Sequence, residues 1–85
     1  MLVQIRRGYT TACHDLRLSV ETDAEGWRAV VRTGEDSRTM YSARRCSLGA
    51  AKVAAAEFAM FQMGGAQPWM SPEAAARQLR WNEYW

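Results

Sequence analysis

From residue 16 the chain alternates. Leu16, Leu18 and Val20 interleave with Arg17, Ser19 and Glu21, the period-two pattern of a half-buried strand. The alternation returns in WRAVVRT, with Trp27, Ala29 and Val31 on one face and Arg28, Val30 and Arg32 on the other. Turn residues from Asp23 to Gly26 lie between the two runs and predict a β-hairpin. After the polar GEDSR, the segment TMYSA predicts a short further strand with Met40 and Tyr41 on opposite faces. At the N-terminus, Met1, Val3 and Ile5 alternate with Leu2, Gln4 and Arg6 and predict a strand over residues 1–6. Arg7, Gly8 and the stretch YTTACHD read as a connection.

The pattern changes at residue 47. Ser47 is a good N-cap, because its hydroxyl can accept an orphan amide of a first turn, and LGAAKVAAAEFAMFQM is alanine-rich helix that Gly64-Gly65 would end. Ser71, Pro72 and Glu73 form a second start signal, predicting a helix through SPEAAARQLRWNEYW. The expected fold class is α+β: an antiparallel three- to four-stranded sheet packed by an alanine-rich helix, plus a short C-terminal helix, in the order β-β-β-β-α-α.

At 100° per residue, Ala50, Ala51, Ala54, Phe58 and Phe61 share the side of the first helix expected to lie on the sheet. Val53 and Met60 lie on another side, so this helix is apolar around most of its circumference and needs cover from the second helix or from another chain. On the second helix, Trp81 and Trp85 form a stripe with Ala74 and Gln78, while Glu73, Arg77, Arg80 and Tyr84 gather opposite. Two roles are open to the tryptophans. They close the core against Val53 and Met60, or, with those two residues, they form a patch for a protein partner, since Trp, Tyr and Arg are common interface anchors.

Composition narrows the picture. The chain has 85 residues, 48% hydrophobic and 24% charged, which fits a single domain over 1–85 with little core to spare. Net charge is +2, from ten arginines and Lys52 against nine carboxylates, a balance that permits a nucleic-acid partner without requiring one. MLVQIRRGYTT lacks an apolar leader core and no stretch approaches a membrane span; the expectation is a soluble, cytoplasmic protein. Cys13 and Cys46 are expected to be reduced thiols.

Little in the sequence points to catalysis. Cys13-His14-Asp15 is the most enzyme-like triplet, but His14 is the only histidine and nothing else in the chain stands out to orient it. Cys13, His14 and Cys46 lack metal-ligand spacing, and Gly64-Gly65 follows a helix where a phosphate loop would precede one. No cofactor, metal or small-molecule substrate is inferred, and the chain is read as a non-enzyme.

The arginines carry more weight. Arg17, Arg28 and Arg32 share the strand face opposite the helix, and Arg44-Arg45 stand just before the first helix. Residues 26–59, a hairpin and an alanine-rich helix beginning with Ser47 and continuing through Ala51, Lys52, Ala54 and Ala55, resemble the corresponding part of double-stranded RNA-binding domains. Arg44-Arg45 would stand for part of that family's basic cluster. The chain is also similar to small bacterial α+β domains of strands and one helix. Two functions follow as expectations. The first is a small protein-interaction module, self-association included, using Trp81, Trp85, Val53 and Met60. The alternative is an RNA- or DNA-binding domain using Arg28, Arg32, Arg44, Arg45 and Lys52.

Overall fold

The computed structural model describes residues 8–23, 26–62 and 71–84. Leu16–Asp23 and Gly26–Thr33 pair antiparallel as the sequence predicts, with Leu18 opposite Val31 and Val20 opposite Ala29. These four side chains are fully buried and form the floor of the core. The alternation of residues 16–33 therefore fixes which sheet face is inside.

Two further strands lie before and after this hairpin. Gly8–Cys13, β1, pairs antiparallel with Leu16–Asp23, β2. This corrects the reading of YTTACHD as a connection. Tyr9, Thr11 and Cys13 stand opposite Val20, Leu18 and Leu16 on the core side, and the β-branched and aromatic residues suit a pleated surface. Only His14 and Asp15 make the turn, and His14 has φ +54°, the positive φ that tight hairpins require. Gly26–Thr33 is β3, and Thr39–Arg45 forms the outer strand β4. The β3–β4 ladder slips by one residue between Val31, opposite Tyr41, and Arg32, opposite Thr39, which leaves Met40 as the extra residue of a bulge. The strand expected over residues 1–6 lies outside the described residues.

Leu48–Gln62 forms helix α1, close to its predicted bounds. Ser47 caps it: the Ala50 amide donates to Ser47 Oγ at 3.1 Å and the Ala51 amide to the Ser47 carbonyl at 3.0 Å. Ala51, Ala54, Ala55 and Ala59 are the helix residues buried in the core cluster with the sheet. Their small side chains let the helix axis approach β2 and β3. Phe58 moves toward β4, where its ring stacks on Tyr41 at 4.7 Å and 16°. Of the predicted sheet-facing set, Ala51 and Ala54 lie in the core cluster and Phe58 packs against it, whereas Phe61 is corrected: it is 73% exposed.

Pro72–Gln78 is α2, capped by Ser71 Oγ, which accepts the Ala74 amide at 3.1 Å. The helix stops at Leu79, whose φ −74° and ψ 141° are extended. Asn82–Tyr84 then forms β5 and pairs with Gly8–Thr10. The second helix is thus seven residues long and the tail WNEY is not its continuation. Trp, Asn and Tyr are indifferent helix formers, and the free edge of β1 supplies backbone partners that a last helical turn would lack. The complete sheet has the order β4-β3-β2-β1-β5, with both helices on one side. Among the described residues, no helix is long and apolar enough to cross a membrane.

Candidate anion-binding sheet face

The side of the sheet away from α1 collects arginines from three strands. In the β2–β3 ladder Arg17 stands directly opposite Arg32 and Glu21 opposite Arg28; in the β3–β4 ladder Arg44 stands opposite Arg28. Arg17 and Arg44 are exposed, while Arg28 and Arg32 are half-buried. Between the two arginine pairs lie Ser19 and Val30, directly opposite one another and both buried. Ser42, across from Val30, is exposed. Four guanidinium positions therefore flank a floor of small side chains, with Glu21 the carboxylate facing Arg28.

Directly opposed like charges destabilise a ladder by a few tenths of a kcal/mol up to about 1 kcal/mol. Arg28 also has Glu21 opposite it in the β2–β3 ladder, whereas Arg17 and Arg32 have no carboxylate there; a guanidinium offers a planar fork of donors suited to phosphate or carboxylate, which makes this face a candidate anion site.

The basic residues expected near the helix start divide between the two sides of the sheet. Arg44 joins Arg28 and Arg32. Arg45 stands opposite Trp27, one step further along the alternation and on the helix side, where its guanidinium donates to the Arg44 carbonyl at 2.7 Å and to the Tyr41 hydroxyl at 3.4 Å. Lys52 lies on α1 with its ammonium 4.6 Å from the Tyr9 ring centre and 5.5 Å from that of Trp81. This is cation–π geometry. Arg45 and Lys52 are thus not on the face that carries Arg28, Arg32 and Arg44, whereas Arg17 is.

The expected protein-binding residues also separate. Trp81 is half-buried against the core, and its indole N–H donates to the Ala76 carbonyl at 2.9 Å. Trp81 and Val53 line one hollow of about 380 Å³ with Gly49, Lys52, Glu73, Ala76 and Arg77. Met60 is buried and lines another, of about 250 Å³, with Cys13, Ala56, Ala59, Ala75, Gln78 and Leu79. Much of the apolar circumference of α1 is therefore met within the chain, by the sheet on one side and by α2 on the other. Trp85, Trp69 and the Tyr84 side chain lie outside what is described.

Cys13 and His14 part company at the first hairpin. Cys13 faces α1, where burial pushes its thiol pKa up, the opposite of an activated nucleophile. His14 lines a separate hollow with Asp15, Arg17, Gly34 and Glu35. Here the first and third hairpin loops meet: the Gly34 amide donates to the Asp15 carbonyl at 2.7 Å, and a Cβ on Gly34 would sit 3.0 Å from that oxygen. Cys46 is exposed at the β4–α1 junction. Among the described residues no group of three or more His, Cys, Asp or Glu side chains is placed to hold a metal ion.

In the third loop, the Thr33 hydroxyl donates to Asp36 Oδ1, and the Arg38 amide donates to the same oxygen at 3.2 Å. These bonds hold the Asp36 carboxyl below its usual pKa, with the Thr33 hydrogen bond the larger cause. Asp36 stabilises the turn and stands apart from the arginine face.

Arg17, Arg28 and Arg32 were legible as one face from alternation alone; Arg44 required the register of β4, which the bulge at Met40 alters. Compared with protein-family models, with curated proteins and with solved structures, the chain matches none.

Proposed function

We propose that this chain is a small non-enzymatic binding domain whose sheet face away from α1 receives a nucleic acid through its phosphates. The observation that carries the reading is the opposition of Arg17 to Arg32 and of Arg28 to Arg44 on a face where, among the described residues, no helix packs. Four cations at cross-strand spacing match a repeating polyanion, and affinity from phosphate neutralisation does not depend on a strongly basic chain. The +2 net charge of the whole chain conceals this local concentration.

The test is fluorescence anisotropy with a labelled oligonucleotide at low salt. Wild type binds, and a variant with Arg17, Arg28, Arg32 and Arg44 all changed to alanine loses at least tenfold in affinity. Arg45→Ala, on the helix side, keeps the wild-type affinity. Equal binding by the wild type and the fourfold variant would refute the reading.

A protein partner, a second copy included, is the second reading. It is favoured by Phe61, which projects from the last turn of α1 at 73% exposure; large apolar groups at that exposure are candidates for an interface. A concentration-dependent dimer in sedimentation that Phe61→Ser abolishes would support it.

A further inference from the structure

We infer that the hollow between α1 and α2 is a second binding site, for a small aromatic carboxylate, separate from the arginine face and independent of the nucleic-acid reading. It encloses about 380 Å³, at the small end of the ~300–1,000 Å³ typical of ligand sites. That suits a molecule of one or two rings. Gly49, Val53 and Ala76 give the hollow short apolar walls, and the indole of Trp81 gives it a flat one. The indole N–H is already donated to the Ala76 carbonyl, so Trp81 offers a ligand its ring surface, on which another ring can stack.

The charges on the lining choose the sign of the ligand. Among the described lining residues, Lys52 and Arg77 stand against the single carboxylate of Glu73, which leaves the hollow one positive charge in excess. Among the described residues the Lys52 ammonium has no carboxylate partner and rests over the rings of Tyr9 and Trp81, at 4.6 and 5.5 Å from their centres. Ring faces attract the charge without supplying the oxygen acceptors that an ammonium with three donors can use. A carboxylate beside Trp81 would supply them.

Gly49 is a separate observation that favours the same hollow. It is the second residue of α1, where alanine would make better helix, yet a Cβ added there meets nothing within 4 Å. Neither close packing nor a positive φ calls for glycine at this position. What the missing side chain leaves is room at the wall of the hollow.

The experiment titrates naphthoate into the full chain, with naphthamide and naphthylmethylammonium as its neutral and cationic counterparts, read by calorimetry and by the Trp81 indole N–H resonance in NMR. Naphthoate should bind at least fivefold tighter than either counterpart and shift that resonance. Gly49→Leu, which fills the open space, should weaken naphthoate binding at least fivefold without lowering the melting temperature. Lys52→Met keeps the stem and removes the charge, so it should erase the preference for naphthoate over naphthamide with circular dichroism unchanged. The variant with Arg17, Arg28, Arg32 and Arg44 all changed to alanine should bind naphthoate as the wild type does. Equal or tighter binding of either counterpart, naphthoate binding that follows the sheet arginines instead of Gly49 and Lys52, or no binding of naphthoate would each overturn the inference. None of these results bears on the nucleic-acid reading, which the anisotropy experiment tests by itself.

Discussion

Arg17 and Arg32 face one another directly across the β2–β3 ladder, with no carboxylate opposite either in that ladder. Repulsion between them weakens the sheet. Arg17→Thr, which replaces one charge by a good strand former, should leave the fold intact and raise its stability by about 0.5 kcal/mol. Thermal denaturation at low and high salt measures this. The gain should shrink in high salt, where the repulsion is screened. A large loss of stability would mean that Arg17 is a packing residue and that the face is not held in readiness for anions.

Trp81 fixes the end of α2. Its indole N–H satisfies the Ala76 carbonyl at 2.9 Å while the ring packs against the core. Trp81→Phe keeps much of the ring and removes the donor, so it should cost about 1 kcal/mol, lowering the melting temperature by about 4–8 °C in a domain of this size. Trp81→Ala should cost more, because it also loses contact with Lys52 and the core. Neither change should alter nucleic-acid affinity once the protein is folded, which calorimetry and anisotropy on the same samples would check.

The cysteines should differ in reactivity. Cys46 is exposed, whereas Cys13 sits against α1 with its thiol pKa raised by burial. Brief alkylation with iodoacetamide at pH 8 should label Cys46 first, read by mass spectrometry of the digested protein. The folded state holds the Cys13 proton more tightly than the unfolded chain does. Its contribution to stability is therefore fully present below the unfolded thiol value, about 8.5, and is lost as pH rises through the folded value. Preferential labelling of Cys13 would contradict its placement.

Asp36 carries the opposite sign. Hydrogen bonds from the Thr33 hydroxyl and the Arg38 amide lower its pKa. Its contribution is present above the ordinary aspartate value, about 3.9, and fades as pH falls through the lower folded value. Thr33→Val should move the Asp36 carboxyl titration, followed by NMR, back towards the ordinary range. An unchanged midpoint would show that the Thr33 hydroxyl does not hold it.

The parts of this fold legible in the sequence are those encoded locally. Leu18, Val20, Ala29 and Val31 announce their face by alternation, and Ser47 and Ser71 mark helix starts that both act as caps. The two strands that escaped are Gly8–Cys13, which has weak apolar alternation and pairs over its whole length with Leu16–Asp23 across the two-residue turn His14-Asp15, and Asn82–Tyr84, which pairs with Gly8–Thr10. The partner of Asn82–Tyr84 is more than seventy residues away in sequence, so no local pattern specifies that strand. The helical spacing of Trp81 and Trp85 was misleading for the same reason: an edge that accepts hydrogen bonds outweighed a helix already short of aliphatic side chains. At the candidate site, the sequence placed Arg17, Arg28 and Arg32 on one face. Arg44 and Arg45 point to opposite sides because consecutive strand residues must, and the β4 register decides which of them joins the others.

The central claim is that four arginines on the sheet face away from α1 contact phosphates, and the salt dependence of binding to a labelled DNA duplex tests it most directly. Neutralising about four phosphates gives a slope of roughly −3 to −4 for the logarithm of the association constant against the logarithm of salt concentration, and a loss of roughly 100-fold in affinity between 50 and 200 mM. Arg28→Ala/Arg44→Ala should reduce that slope to about −2. A slope near zero, or one that the double variant leaves unchanged, would contradict the account.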